Sequence, residues 1–205
     1  DPQSDTEDWL AEDPQARHQA ISSGELVFLQ QPPKEAVHHH HNTLIIGPES
    51  LRDGWVYLAQ CHENLDPFPR IEIVYNKGRV RNLKIRKYKG IERAWVEDHT
   101  VQLRNVHRGA QLCLDTQSRA LSSNPDGTFT LRNGPFMRRF LDGYFPMHVS
   151  MDVELPEELR LVSISPPQQE GFRVSHSRNR IHLDAWFEGK LNTEIVLRRI
   201  PRRGR

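Results

Sequence analysis

From Leu26 onward, apolar side chains recur at every second position in short runs, and Gly, Pro, Asn and Asp collect between the runs. That is the period of a pleated strand with one buried face. Ile71, Ile73 and Tyr75 alternate with Glu72 and Val74. Asn76-Lys77-Gly78 then turns the chain toward Val80 to Ile85, which predicts a hairpin. Val101 and Leu103 form one further run, and Ala110, Leu112 and Leu114 another. Leu121 to Leu131 folds about Pro125-Asp126-Gly127, where proline presets its own φ and glycine tolerates positive φ. Trp55 to Gln60 is apolar on both faces for much of its length, the mark of a central strand.

After Pro146 the same texture resumes. Val149, Met151, Val153 and Leu155 alternate strictly, and the last part, from Phe172 through Ile181 to Ile200, reads as a meander turning at Ser177-Arg178-Asn179 and Glu188-Gly189-Lys190. Strands at this spacing without βαβ alternation predict a mainly β protein, made of one or two antiparallel β-sandwich-like modules. Two segments break the period. Asp13-Pro14 is a good helix start and Gly24 a good stop, so residues 1–24 read as a short acidic helical segment. Phe136, Met137, Phe140 and Leu141 recur at helical spacing, so 134–146 reads as a short helical linker with aromatic and basic side chains. The expected organisation is therefore 1–24, a β module at 25–133, the linker at 134–146, a second module at 147–200 and a basic tail at 201–205.

The 205 residues carry 28 Lys and Arg against 27 Asp and Glu, so overall charge selects no class of partner. Its distribution does more. Residues 1–35 hold eight acidic side chains and two basic ones, whereas 77–108 hold ten basic and three acidic. The basic stretch reads as a solvated edge strand or a complement to the acidic head, or else as a polyanion-binding module using Lys84 and Arg86, which a bulge near Asn82-Leu83 brings to the solvent face of Arg79 and Arg81. No run approaches the roughly 20 apolar residues of a membrane-spanning helix. Two cysteines, Cys61 and Cys113, suit a single disulfide, and with it an exported protein, periplasmic or extracellular; two separate buried thiols are the alternative.

The candidate chemistry lies in four consecutive histidines, His38 to His41. On a strand they split by parity, His39 and His41 on one face and His38 and His40 on the other. Two imidazoles at i and i+2 can share an ion, but zinc or copper needs further ligands. His62 is the partner that would complete a transition-metal site, Zn or Cu, with His39 and His41; a solvated polar loop or edge strand with no ligand is the default reading, and a pH-sensing interface the third. No phosphate-binding glycine loop, nucleophile elbow or paired Cys-x-x-Cys motif occurs, and these absences remove the strongest signs of nucleotide enzymes, serine hydrolases and zinc ribbons. Cys61 and His62 are adjacent and so point to opposite faces of a strand, which argues against a catalytic pair.

The aromatics of 135–146 read first as a plug between the two modules; alternatively Phe136, Arg138, Arg139 and Phe140, of the residue types that anchor protein interfaces, form the candidate partner-binding set. The function these observations favour is a non-enzymatic, exported binding or accessory protein with a protein partner. A metal-dependent cell-envelope enzyme, using the same histidines to activate water, is the second reading. Polyanion binding through Lys84 and Arg86 is the third.

Overall fold

The computed structural model describes residues 23–141 and 143–201. The helical reading of 1–24 thus falls almost wholly outside the described residues. Within them the chain is mainly β, with several antiparallel sheets. After the two-residue β1 (Val27–Phe28) come β2 (His39–Ile45), a single helical turn at Ser50–Asp53, β3 (Val56–Leu65) and β4 (Arg70–Val74). Two long strands follow, β5 (Val80–Glu97) and β6 (Thr100–Ser118), then β7 (Leu121–Ser123) and β8 (Thr128–Phe136). The rest is β9 (Arg138–Phe140), β10 (Gly143–Phe145), β11 (Met147–Glu154), β12 (Leu159–Ser165), β13 (Phe172–His176), β14 (Arg180–Glu188) and β15 (Leu191–Arg199).

A nine-stranded sheet runs in the order β1, β14, β11, β2, β3, β6, β4, with β13 also on β14 and β5 also on β6. All its pairings are antiparallel except that of β2 with β11. A four-stranded sheet runs β12, β15, β8, β7. The stretches 25–133 and 147–200 do not close separate sheets, because β2 takes β11 as a neighbour and β8 takes β15. Period-two alternation explains the main core. Val149, Met151 and Val153 of β11 and Ile181, Leu183 and Phe187 of β14 pack in one cluster with Leu131, Leu159, Ile195 and Leu197 of the smaller sheet. Each such fully buried side chain contributes about 2 kcal/mol.

Three local expectations change. The linker is not helical, since β9 and β10 pair as a hairpin, Arg138 opposite Phe145. Its apparent helical period came from residues with unrelated roles: Phe136 ends β8 in the core, whereas Leu141 sits 94% exposed at the hairpin tip. The last stretch is not a meander either, because β14 and β15 belong to different sheets and the chain crosses between them at Gly189. Finally, β4 and β5 do not pair with each other. They lie on opposite edges of β6.

That last placement has a geometric consequence. β6 pairs with β4 over Thr100 to Arg104 and with β3 over Ala110 to Ser118, while β5 runs along its other edge. Nineteen extended residues would span about 60 Å, yet the link from Val74 to Val80 reaches only about 20 Å. The ribbon must therefore curl back on itself. Register shifts at Arg81/Lys84, Ile85/Lys87 and Lys89/Ile91 supply the bends. Leu65, Leu103, Leu112 and Leu114 fill the inside of the curl as a second core, with Ile71, Ile73 and Ile85 against them.

Candidate functional site

The histidine run does form a strand, and parity does divide it. Register then decides which neighbours each pair meets. His40 stands opposite His62 and His41 opposite Cys61, and cross-strand partners share a face. His62 therefore lies with His38 and His40, not with His39 and His41. The expected trio of His39, His41 and His62 is split by the sheet. Among the described residues no three His, Cys, Asp or Glu side chains are grouped so as to hold a metal ion.

On the inner face, the rings of His40 and His62 stack with centroids 4.3 Å apart, and Phe136 meets His40 edge-on at 5.2 Å. The hydrogen bonds fix the tautomers. Gln60 Oε1 accepts from His62 Nε2 at 3.1 Å and from the Tyr75 hydroxyl at 2.5 Å, while Gln60 Nε2 donates to Asn42 Oδ1 at 3.2 Å. His62 Nδ1 is thus left as an acceptor, and His38 Nε2 donates to it at 2.9 Å. His40 Nε2 is buried without a partner among the described residues. Burial lowers the His38 pKa to about 4 and that of His40 to about 3, and it holds His62 well below its usual value. Burial likewise raises the Tyr75 pKa. At neutral pH the cluster is uncharged.

These groups form the floor of an open groove of about 710 Å³. The residues expected to bind a partner form one wall. Phe136 is buried, the Phe140 ring lies 5.2 Å from Phe68 and 5.8 Å from Phe145, and the Arg139 guanidinium lies 5.6 Å from the Tyr144 ring. Arg138 is held at both ends of a fork, Nε to Asp66 Oδ2 at 3.0 Å and Nη2 to Oδ1 at 2.6 Å. Its charge is therefore already matched. Asn42, Gln60 and Tyr75 were not singled out by the sequence reading. Asn42 and Gln60 could have been found as polar residues that share the inward parity of their strands with Leu44, Val56 and Leu58.

The outer face carries a different set. His148 is sandwiched between Trp186 and His39, with centroids 3.9 Å away on both sides, and donates from Nε2 to Asp184 Oδ2 at 2.8 Å. His39 Nε2 lies 2.7 Å from Ser150 Oγ. Asp152 accepts from His41 Nε2 at 3.1 Å and from His182 Nδ1 at 3.0 Å. Burial would raise the Asp152 pKa, but those hydrogen bonds and Arg180 hold it low. The hydrogen bond from His148, with Arg173, holds Asp184 at about 2 against its burial. None of His148, Asp152, His182 or Asp184 was singled out, although 148, 150, 152 and 182, 184, 186 are polar or amphipathic positions at period two. Further along this face Cys61 and Cys113 are directly opposite and bonded. Arg81 stands opposite Gln117 and the exposed Lys84 opposite Asp115, with a register shift between them, so the expected bulge does put Arg81 and Lys84 on one face, where Arg86 also reaches Asp115 at 3.4 Å.

No family model matches this chain, and no curated protein does. Among solved structures it is similar to an M1 zinc metallopeptidase from Deinococcus radiodurans in a form bound to a Tyr-Ser-Ala substrate, at 12% identity and a TM-score of 0.46. A second structure of that enzyme gives 13% and 0.44, and a two-domain M1 zinc metallopeptidase bound to L-tryptophan gives 13% and 0.40. Each likeness covers 78% of this chain and 41% of the other, so the chain spans about two fifths of the length of the structures it matches.

Proposed function

We propose that this chain is a non-enzymatic binding protein, and that the groove between the inner histidine cluster and the β9/β10 hairpin is its ligand site. One observation carries the reading: the groove floor is a connected, uncharged polar network with one buried nitrogen, His40 Nε2, left without a partner among the described residues. An unsatisfied buried polar atom costs about 1–3 kcal/mol; His40 Nε2 has no surface of its own open to the groove, so a ligand removes that cost by drawing the ring toward it. Aromatic side chains over a few convergent polar groups are the usual make-up of a ligand pocket, and the volume is in the usual range; Arg79, Arg119 and Arg139 also line this groove and add a basic rim. The ligand this suits has an apolar body and a neutral hydrogen-bonding group, such as an aromatic side chain with an amide or hydroxyl on a partner peptide.

The architecture we propose for it is sandwich-like, the smaller sheet covering one half of the larger. Export to an oxidising compartment is supported by the Cys61–Cys113 disulfide, and no described helix is long and apolar enough to cross a membrane.

The test is a screen of neutral aromatic amides and phenols followed by proton–nitrogen correlation spectra. Shifts centred on the Asn42 and Gln60 side-chain amides, abolished by Phe140→Asp at the groove rim, support the reading. Shifts confined to the outer face, or none at millimolar ligand, refute it.

A further inference from the structure

Three arginines stand in register across three adjacent strands, Arg93 of β5 opposite Arg104 of β6, and Arg104 opposite Arg70 of β4. Neighbouring strands are about 5 Å apart, so the row spans about 10 Å. All three side chains are exposed, and none belongs to an ion pair among the described residues. Of the nearby carboxylates, Glu92 takes the Asn105 amide and Glu97 the Trp95 indole N–H, while the exposed Glu72, two residues from Arg70 on the same face, makes no ion pair with the row among the described residues. The guanidinium of Arg93 lies 4.8 Å from the Trp95 ring, and that of Arg104 lies 5.7 Å from it.

Like charges directly opposite one another destabilise a sheet. Basic side chains on an edge strand protect it from stray pairing, which accounts for Arg93 on β5 and Arg70 on β4. It does not account for Arg104. At that position β6 has a partner on each side and no edge to protect. The row is therefore kept at a cost that the fold does not require, and Trp95 holds two of its members in place.

We infer that Arg70, Arg93 and Arg104 form a binding site for a sulfated polysaccharide, distinct from the groove. Guanidinium forks match the oxygens of sulfate in pairs, and three of them about 5 Å apart suit a densely charged chain. Trp95 is faced by arginines and so is not offered as a stacking platform, the feature on which single-stranded nucleic-acid sites depend. The row sits on the outside of the curled hairpin, where Lys84, Lys87 and Lys89 extend the positive surface.

The experiment uses the full chain and heparin as probe, with affinity measured calorimetrically across a salt series. Replacing all three (R70Q, R93Q, R104Q) is expected to weaken binding at least tenfold, to reduce the slope of log affinity against log salt by about 3, and to leave the urea midpoint unchanged or raised. Replacing Lys84, Lys87 and Lys89 by Gln removes the same charge and is expected to cost less than a third of that loss in log affinity. R104K, which keeps the charge and loses the fork, is expected to weaken binding at least threefold. Absence of heparin binding at low salt, equal losses in the two triple variants, or tighter binding of single-stranded or duplex DNA than of heparin at matched salt would each overturn the proposal.

Discussion

His40 and His62 face each other across β2 and β3 with ring centroids 4.3 Å apart, both buried and both neutral at pH 7. With His38 they form a group that the folded chain keeps unprotonated well below the usual imidazole pKa of about 6.5. The unfolded chain has no such restraint. Below about pH 6.5 it binds protons that the fold refuses, so stability is complete above that pH and falls as the pH drops toward 4. Each histidine adds a slope of about 1.4 kcal/mol per pH unit. Urea midpoints should accordingly be level from pH 8 to 7 and drop steeply from 6.5 to 4.5, with a shallower drop in His40→Phe. A midpoint that is flat from pH 7 to 5 would show that these rings accept protons in the fold.

The disulfide joins residues 52 apart in sequence and lies between two strands that pair in any case. Closing a loop of that length removes unfolded-state entropy worth about 4 kcal/mol. Replacing both cysteines by Ala should lower unfolding free energy by about 2–4 kcal/mol while leaving the far-ultraviolet circular dichroism intact. A loss of strand signal under native conditions would mean instead that the bond holds β3 against β6.

Asp66 and Arg138 make a two-point ion pair that is mostly shielded from water, with side chains 19% and 18% exposed. Removing either partner alone leaves the other charge half-buried. Asp66→Asn and Arg138→Gln should each cost about 2–3 kcal/mol, and the double variant should cost clearly less than their sum, by about 1–3 kcal/mol of coupling. Additive losses in a urea titration would rule out the pair as the clamp on the groove wall.

Gly189 turns the chain from β14 into β15 at φ +90°, and a Cβ there would meet the Glu25 carbonyl oxygen at 2.0 Å. Gly189→Ala should therefore destabilise by more than the roughly 1 kcal/mol that positive φ costs alone, about 3 kcal/mol or more. A melting temperature unchanged within 2 °C would place the Glu25 backbone elsewhere.

Most strands were legible because a half-buried strand writes its face into the sequence at period two. Val149 to Leu155 and Ile181 to Phe187 show this, and so does the division of the histidine run. The linker failed for the opposite reason. In Phe136 to Leu141, core burial, an ion pair and an exposed hairpin tip lie within six residues, and their coincidental spacing imitates a helix. The partner of the histidines failed for a subtler one, since parity along one strand says nothing about which parity of the next strand shares its face.

What the amino-acid order settled alone is local: where strands run, which residues share a face within each, where turns fall, and that a bulge can bring Lys84 and Arg86 to the face of Arg81. Tertiary structure decided everything that depends on register and return path. The pairing of His40 with His62 put His62 on the inner face, and the parallel join of β2 to β11 brought His148 and Asp152 beside His39 and His41. The curl of β6 set Arg70 and Arg93 on either side of Arg104. Backbone alternation repeats every two residues and is visible in a single strand, whereas register is fixed by how distant strands bury their faces together, over separations of 24 residues for His38 and His62 and 111 for His41 and Asp152.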